Sequence, residues 1–283
     1  MLGVLIMSAL LGAASFGCGM LPLAVTFSRT HLAWLSTLGT GLLLGTALGV
    51  TIPEGIETIL EAPPKDPTAE PPVNTIALTL LGGFVVMLAA EQLLHAHAPS
   101  APRIEFDAEL SELEGAAPRH GVAGEQAQRA VPLTLGLAVH ALADGLALGA
   151  AARDDDGGLG WIVFLALLVH KAPTALALTT SLLATSSLTR EQCRTHLVVF
   201  SAATPVGAIT AYALFAFLGT GQAWVGATLL FSGGTFLYVA TVLQPVTQEQ
   251  SADGGPAGVT RVLVIATGMF TPWVIGHIIG HEH

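Results

Sequence analysis

The sequence predicts an all-α polytopic membrane protein: a bundle of eight transmembrane helices with the N- and C-termini outside. Three observations lead there. The 283 residues are 52% hydrophobic and only 11% charged, whereas soluble domains carry about 25% charged residues, and the mean hydropathy is +0.68. Apolar stretches near the roughly 20 residues that cross a bilayer as helix recur eight times. The basic residues between them sort to one side, as expected for cytoplasmic loops.

The first span, 2–27, is apolar from Leu2 and lacks a basic segment before it, so it reads as a retained helix and not a cleaved leader. The second, 33–60, carries Gly41, Gly45 and Gly49 on one face, a spacing that lets helices approach closely. Pro53 and Glu54 lie inside it, toward its outer end. The third, 73–96, closes with Glu91 and Gln92. Residues 97–130 are polar, acidic and without apolar period, and read as a mobile cytoplasmic loop inside a single transmembrane domain, 1–283. Spans four and five, 131–152 and 159–186, are joined by a short turn through Asp154, Asp155 and Asp156. Spans six, seven and eight cover 195–218, 222–245 and 260–281.

Arg29, Arg103, Arg119, Arg129, Arg190, Arg194 and Arg261 then fall on one side of the membrane, and only Lys65 and Arg153 on the other. Cys18 and Cys193 match no disulfide or CxxC framework. The net charge of −10 lies in loops, which speaks against a nucleic-acid partner and leaves the lipid bilayer as the expected surroundings.

Ionisable groups inside apolar spans carry the chemistry. A charge at the centre of a membrane helix costs about 2.5–3.5 kcal/mol on insertion scales, so such a group marks function by default. Span four holds His140 and Asp144, four residues apart and therefore on one helix face; span five holds His170 and Lys171. Imidazole and carboxylate together suit Zn²⁺ or another first-row divalent ion. The same spacing also fits a buried His–Asp pair that merely joins two helices. Lys171 points about 100° away from His170 around the helix; it either balances Asp144 or fills space that a second ion would take. Pro53 and Pro173 are predicted kinks, each freeing a backbone carbonyl. Glu54 reads as lining the outer approach, the three aspartates as concentrating cations at the mouth, and Glu91 as a group at the membrane interface or one that lies along the metal pathway behind the ligands. His95, His97 and His120 on the loop, and His277, His281 and His283 at the C-terminus, are further imidazoles that fit either cation collection or plain solvation.

Four strings together resemble the ZIP (Zrt/Irt-like) family of divalent metal transporters, and within it the branch containing the ninth human member. They are Gly45-Thr-Ala-Leu-Gly-Val-Thr-Ile-Pro-Glu-Gly55, His140-Ala-Leu-Ala-Asp-Gly-Leu-Ala-Leu-Gly-Ala150, His170-Lys-Ala-Pro173 and Phe231-Ser-Gly-Gly-Thr-Phe-Leu-Tyr-Val-Ala-Thr-Val242. The resemblance implies a transport site between spans four and five built from His140, Asp144 and His170, an inverted-repeat arrangement, and helix groups that slide past each other. Where many relatives carry Asn, Glu, His and Glu, this chain has Ala141, Lys171, Thr174 and Ala175. The resemblance therefore implies one ion and not two, with the ammonium of Lys171 in place of the second. Leu243-Gln-Pro-Val246 also departs from the family's His and Pro-Glu, which leaves no exit-side ligand expected there.

The expected function is movement of Zn²⁺, with Fe²⁺ or Mn²⁺ as further cargo, into the cytosol by alternating access through a single-ion site. Zinc is then substrate, no organic cofactor is called for, and a homodimer stays open. The expected location is a cell membrane (inner or plasma), with the Golgi as the alternative in a eukaryote. Two rivals belong to other classes. An intramembrane zinc-dependent hydrolase needs an open coordination position and a positioned base, and spans four and five offer no second carboxylate beside Asp144. A metal-free proton-coupled carrier or receptor would use Asp144, His140 and Lys171 as a relay.

Overall fold

A computed structural model describes residues 1–62, 72–97, 120–153, 158–184, 188–218, 221–243 and 255–280. These residues are helical almost throughout, with no strand among them. The helices are α1 (Leu2–Ala24), α2 (Arg29–Thr46), α3 (Ile52–Leu60), α4 (Val73–His97), α5 (His120–Ala151), α6 (Gly158–Ala184), α7 (Arg190–Leu218), α8 (Gln222–Tyr238) and α9 (Gly258–Gly280). Single π-helical turns, Ala47–Thr51 and Val239–Leu243, join α2 to α3 and extend α8. With α2 and α3 forming one membrane-length segment, eight are long and apolar enough to cross a bilayer.

The spans agree with the sequence reading to within a few residues, and the differences have local causes. The second span starts at Arg29 and not 33 because the Ser28 side chain accepts a hydrogen bond from the His31 backbone N–H and caps the helix. The sixth starts at Arg190 and not 195: the Arg190 guanidinium donates to the carbonyls of Leu23 and Val25, which lie at the end of α1 where helical donors have run out. Residues 120–130, assigned to a loop from polarity, continue the backbone of α5, consistent with the helix-forming Glu125-Gln-Ala-Gln-Arg-Ala130. Residues 98–119 lie outside the described part.

Pro53 is the second residue after the first π turn. The Ile52 N–H bonds back to the Ala47 carbonyl, five residues away, and the proline has no N–H to give. The carbonyls of Leu48 and Gly49 thereby lose their usual α-helical donors. Around Pro173 the helix α6 continues on both sides, and the carbonyl left without an α-helical donor is that of Val169.

Helices α5, α6 and α8 form the centre, while α4 and α9 keep most of their surface outward. That outward surface is apolar (Leu78, Leu81 and Val85 on α4; Val262, Leu263 and Phe270 on α9), as lipid contact requires. Glycines set the close packing. A Cβ at Gly41 or Gly45 would meet the backbone of Ile265 or Met269 on α9. One at Gly145 or Gly149 would meet the backbone of α7 at Thr204 or Ala208. The small-residue stripes are thus packing surfaces. Gly145→Val is expected to destabilise the bundle by about 1–3 kcal/mol through overpacking, whereas Gly82→Val, at a position with nothing within 4 Å, is tolerated. Thermal unfolding of the purified variants in detergent checks this, and equal stability of the two would contradict it.

The buried apolar side chains fall into two clusters. One collects Leu137, Ala141, Ala175, Leu178, Phe200 and Phe236, the other Ala147, Leu148, Val163, Leu167, Ala208 and Leu229. The buried polar residues His140, Asp144, His170 and Lys171 of α5 and α6 lie where the two clusters meet.

Candidate metal centre

Between the two apolar clusters lies a thin polar layer at the middle of three spans. His140 and Asp144 come from α5, His170 and Lys171 from α6, and Ser232 from α8. None of the five is more than 2% exposed, so the layer is closed to solvent on both sides.

The carboxylate of Asp144 is its hub. Oδ2 lies 3.3 Å from His140 Nε2 and 3.1 Å from His170 Nε2, and accepts a 2.6 Å hydrogen bond from the Lys171 ammonium. Oδ1 accepts from the Ser232 hydroxyl at 2.5 Å. Lys171 Nζ also lies 5.4 Å from the centroid of the Phe200 ring, within cation–π range. The His140 ring stacks on Phe236 with centroids 4.1 Å apart, and its centroid is 5.9 Å from that of His170. The buried His140 Nε2 and His170 Nδ1 have no hydrogen-bond partner. A buried polar atom without a partner is costly, and Nε2 of His140 lies 3.3 Å from the same carboxylate oxygen that His170 Nε2 meets.

His140, Asp144 and His170 offer donor atoms all within 4.8 Å of one another, and among the described residues they are the only such group of three or more metal-binding side chains. Zinc binds imidazole and carboxylate at about 2.0–2.2 Å, so two ligands on a tetrahedral ion stand about 3.3 Å apart. The 3.1 and 3.3 Å separations from Asp144 Oδ2 have that length. An ion here would take the place of the proton shared by His170 and Asp144 and would engage the partnerless Nε2 of His140. It would also compete with Lys171 for the same oxygen.

Of the other residues singled out from sequence, Lys171 belongs to this layer, and Glu54 and Glu91 do not belong to the donor cluster. Glu54 is half-buried on α3. Glu91 accepts a hydrogen bond from the Tyr238 hydroxyl, tying α4 to α8. Its polar partner is thus a buried tyrosine and not only headgroup water. His277 stacks on Trp273, one helical turn before it, with ring centroids 5.3 Å apart. Asp154, Asp155, Asp156, His281 and His283, and the side chains of His95, His97 and His120, lie outside the described residues.

The sequence reading missed Ser232, Phe236 and Phe200 as site residues. A serine in a membrane helix carries no large insertion penalty and usually bonds its own backbone, as Ser15 does to the Leu11 carbonyl. The one available signal was position, since Ser232 falls mid-span like His140 and His170.

A sequence profile of the family described as ZIP zinc transporter matches residues 107–275. The chain is 37% identical to "Zinc transporter ZIP9-A" of Xenopus laevis over 312 aligned positions, which cover 94% of this chain and 95% of that protein. It is 34% identical to "Zinc transporter ZIP9" of Micropogonias undulatus over the same shares of each, and 42% identical to the Macaca fascicularis protein of that name over 53% of this chain and 67% of the relative.

Proposed function

The chain belongs to the ZIP zinc transporter family, and from that premise we propose that it carries Zn²⁺ one ion at a time into the cytosol, through His140, Asp144 and His170. It is a multi-pass membrane transporter near the ZIP9 branch and not an enzyme. The observation that carries the residue assignment is the convergence of three donor atoms from α5 and α6 on one mid-span point, with an imidazole nitrogen left without a partner.

An ion entering from the outer side sheds its water onto two imidazoles and one carboxylate. One carboxylate leaves a divalent ion incompletely neutralised, which keeps affinity moderate; an ion held as structural zinc is held, at about 10–16 kcal/mol, would not leave. With apolar clusters above and below the polar layer, access opens on one side at a time. The bias of Arg29, Arg190, Arg194 and Arg261 toward one set of helix ends supports a cytosolic inner side and outward termini. Residence in a cell membrane, inner or plasma, is the location we assign, and Fe²⁺ and Mn²⁺ are the competing cargo to test, since nitrogen and oxygen donors accept both.

The test is radioactive zinc uptake into proteoliposomes, with Fe²⁺ and Mn²⁺ as competitors and metal analysis of the purified protein alongside. Wild type is expected to take up zinc saturably, and His170→Ala to fall to the level of empty vesicles. Uptake by His170→Ala at the wild-type rate removes the site. Wild-type protein that neither binds nor moves zinc, yet carries protons, favours the metal-free relay.

A further inference from the structure

We propose that Ser232 is a positioning residue for the transport site, holding His140 in the tautomer that binds metal and aiming the other oxygen of Asp144, Oδ2, at the ion. The inference rests on the assignment of His140, Asp144 and His170 as ligands.

The geometry fixes the direction of the hydrogen bonds. A serine hydroxyl has one proton to donate and two lone pairs. Ser232 Oγ lies 2.5 Å from Asp144 Oδ1, 2.8 Å from His140 Nδ1 and 3.4 Å from the His140 carbonyl. An ionised carboxylate only accepts, and bonds to it are short and strong, so the Ser232 proton goes to Asp144. The hydroxyl oxygen is then left to accept, and the neighbour able to donate is the Nδ1–H of His140. The Ser232 carbonyl, 3.3 Å from the same Nδ1, likewise only accepts and demands the same proton. With the proton on Nδ1, the Nε2 lone pair of His140 is free, and Nε2 is the atom that has no partner.

Phe236 completes the grip. It lies four residues after Ser232 and therefore on the same face of α8, and its ring stacks on His140 at 21° between planes. The serine sets which nitrogen carries the proton, and the phenylalanine sets the plane of the ring. Thr235 Oγ1 donates to the Ser232 carbonyl at 2.7 Å and steadies that carbonyl. Metal-binding histidines commonly have the second nitrogen fixed by such a partner. Here the partner sits on a helix that supplies no ligand. Any movement that separates α8 from α5 therefore loosens two ligands together, which makes the third central helix part of the ion site.

The experiment titrates zinc into the purified full-length protein, measures transport KM and Vmax in proteoliposomes, and records the ¹⁵N signature of His140 without metal. Ser232→Ala is expected to weaken zinc affinity and raise KM by about 10–100-fold, the range seen for partners of metal ligands, with Vmax retained. Its His140 keeps only the longer 3.3 Å contact with the backbone carbonyl of residue 232, so a fraction with the proton on Nε2 should appear, whereas wild type shows Nδ1–H alone. Ser232→Thr keeps the hydroxyl and is expected to hold the wild-type tautomer and affinity. Thr228→Ala, one turn earlier on α8 and bonded only to the Val225 carbonyl, changes neither. Unaltered affinity in Ser232→Ala, or equal loss in Ser232→Ala and Ser232→Thr, overturns the proposal. Asp144→Ala run in parallel separates the two levels: if it still binds zinc as wild type does, the site itself is wrong; if it does not while Ser232→Ala binds normally, only the role of the serine is.

Discussion

Asp144→Ala is expected to abolish zinc uptake while the protein still reaches the membrane. Four groups converge on this carboxylate: two imidazoles and an ammonium on Oδ2, and the Ser232 hydroxyl on Oδ1. Removing it deletes the only anionic donor in the cluster and unties His140 from His170. It also leaves Lys171 as a buried cation without its counter-ion, and breaking a buried pair in this way destabilises by about 3–5 kcal/mol. Loss of uptake in the single variant therefore mixes two effects. Asp144→Asn combined with Lys171→Met separates them, because the layer is then uncharged and of similar volume; removing both partners of a buried pair is often close to neutral. The double variant is expected to unfold near the wild-type temperature and still to take up no zinc. Uptake scaled to membrane abundance, with thermal unfolding beside it, reads both. Wild-type transport by either variant would show that the ion passes elsewhere.

The same carboxylate explains what could be read in the sequence and what could not. His140, Asp144, His170 and Lys171 stand out because each is expensive inside an apolar span, and that expense is visible in a string of letters. The eight spans are visible for the converse reason, since length and apolarity are all a bilayer demands. Contacts between helices are less legible. The short stretch through Asp154, Asp155 and Asp156 makes α5 and α6 neighbours in sequence, yet Gly145 and Gly149 face α7, with Thr204 donating to the Ala141 carbonyl. A glycine stripe announces close approach without naming its partner. Ser232 and Phe236 are cheap in the same surroundings, so nothing in composition sets them apart; only their distance from His140 does. The π turn before Pro53 is of the same kind, because the proline announces a lost hydrogen bond but not which carbonyl the displaced donors then seek.

A polar layer sealed by apolar clusters has to be electrically tolerable when no ion is present, and Lys171 supplies that. Its ammonium, 2.6 Å from Asp144 Oδ2 and facing Phe200, neutralises the carboxylate. Zinc bound at the proposed site would share that oxygen, two cations would crowd one anion, and Lys171 would lower zinc affinity and favour release. Lys171→Met is therefore expected to bind zinc more tightly and to turn over more slowly. Its metal-free form should be markedly less stable, because Asp144 is then a buried unpaired anion. Zinc restores that loss by mass action, about 2.7 kcal/mol at a hundredfold excess over Kd. Lys171→Glu goes further. It adds a second carboxylate beside the first, the two repel when empty, and a second dication relieves the repulsion. The bound metal should rise from one ion per chain to two, measured by metal analysis of protein dialysed against buffered zinc. A stoichiometry of one in Lys171→Glu, together with unchanged affinity in Lys171→Met, would mean that the lysine is a structural tie between α5 and α6 and that the single-ion character of the site has another origin.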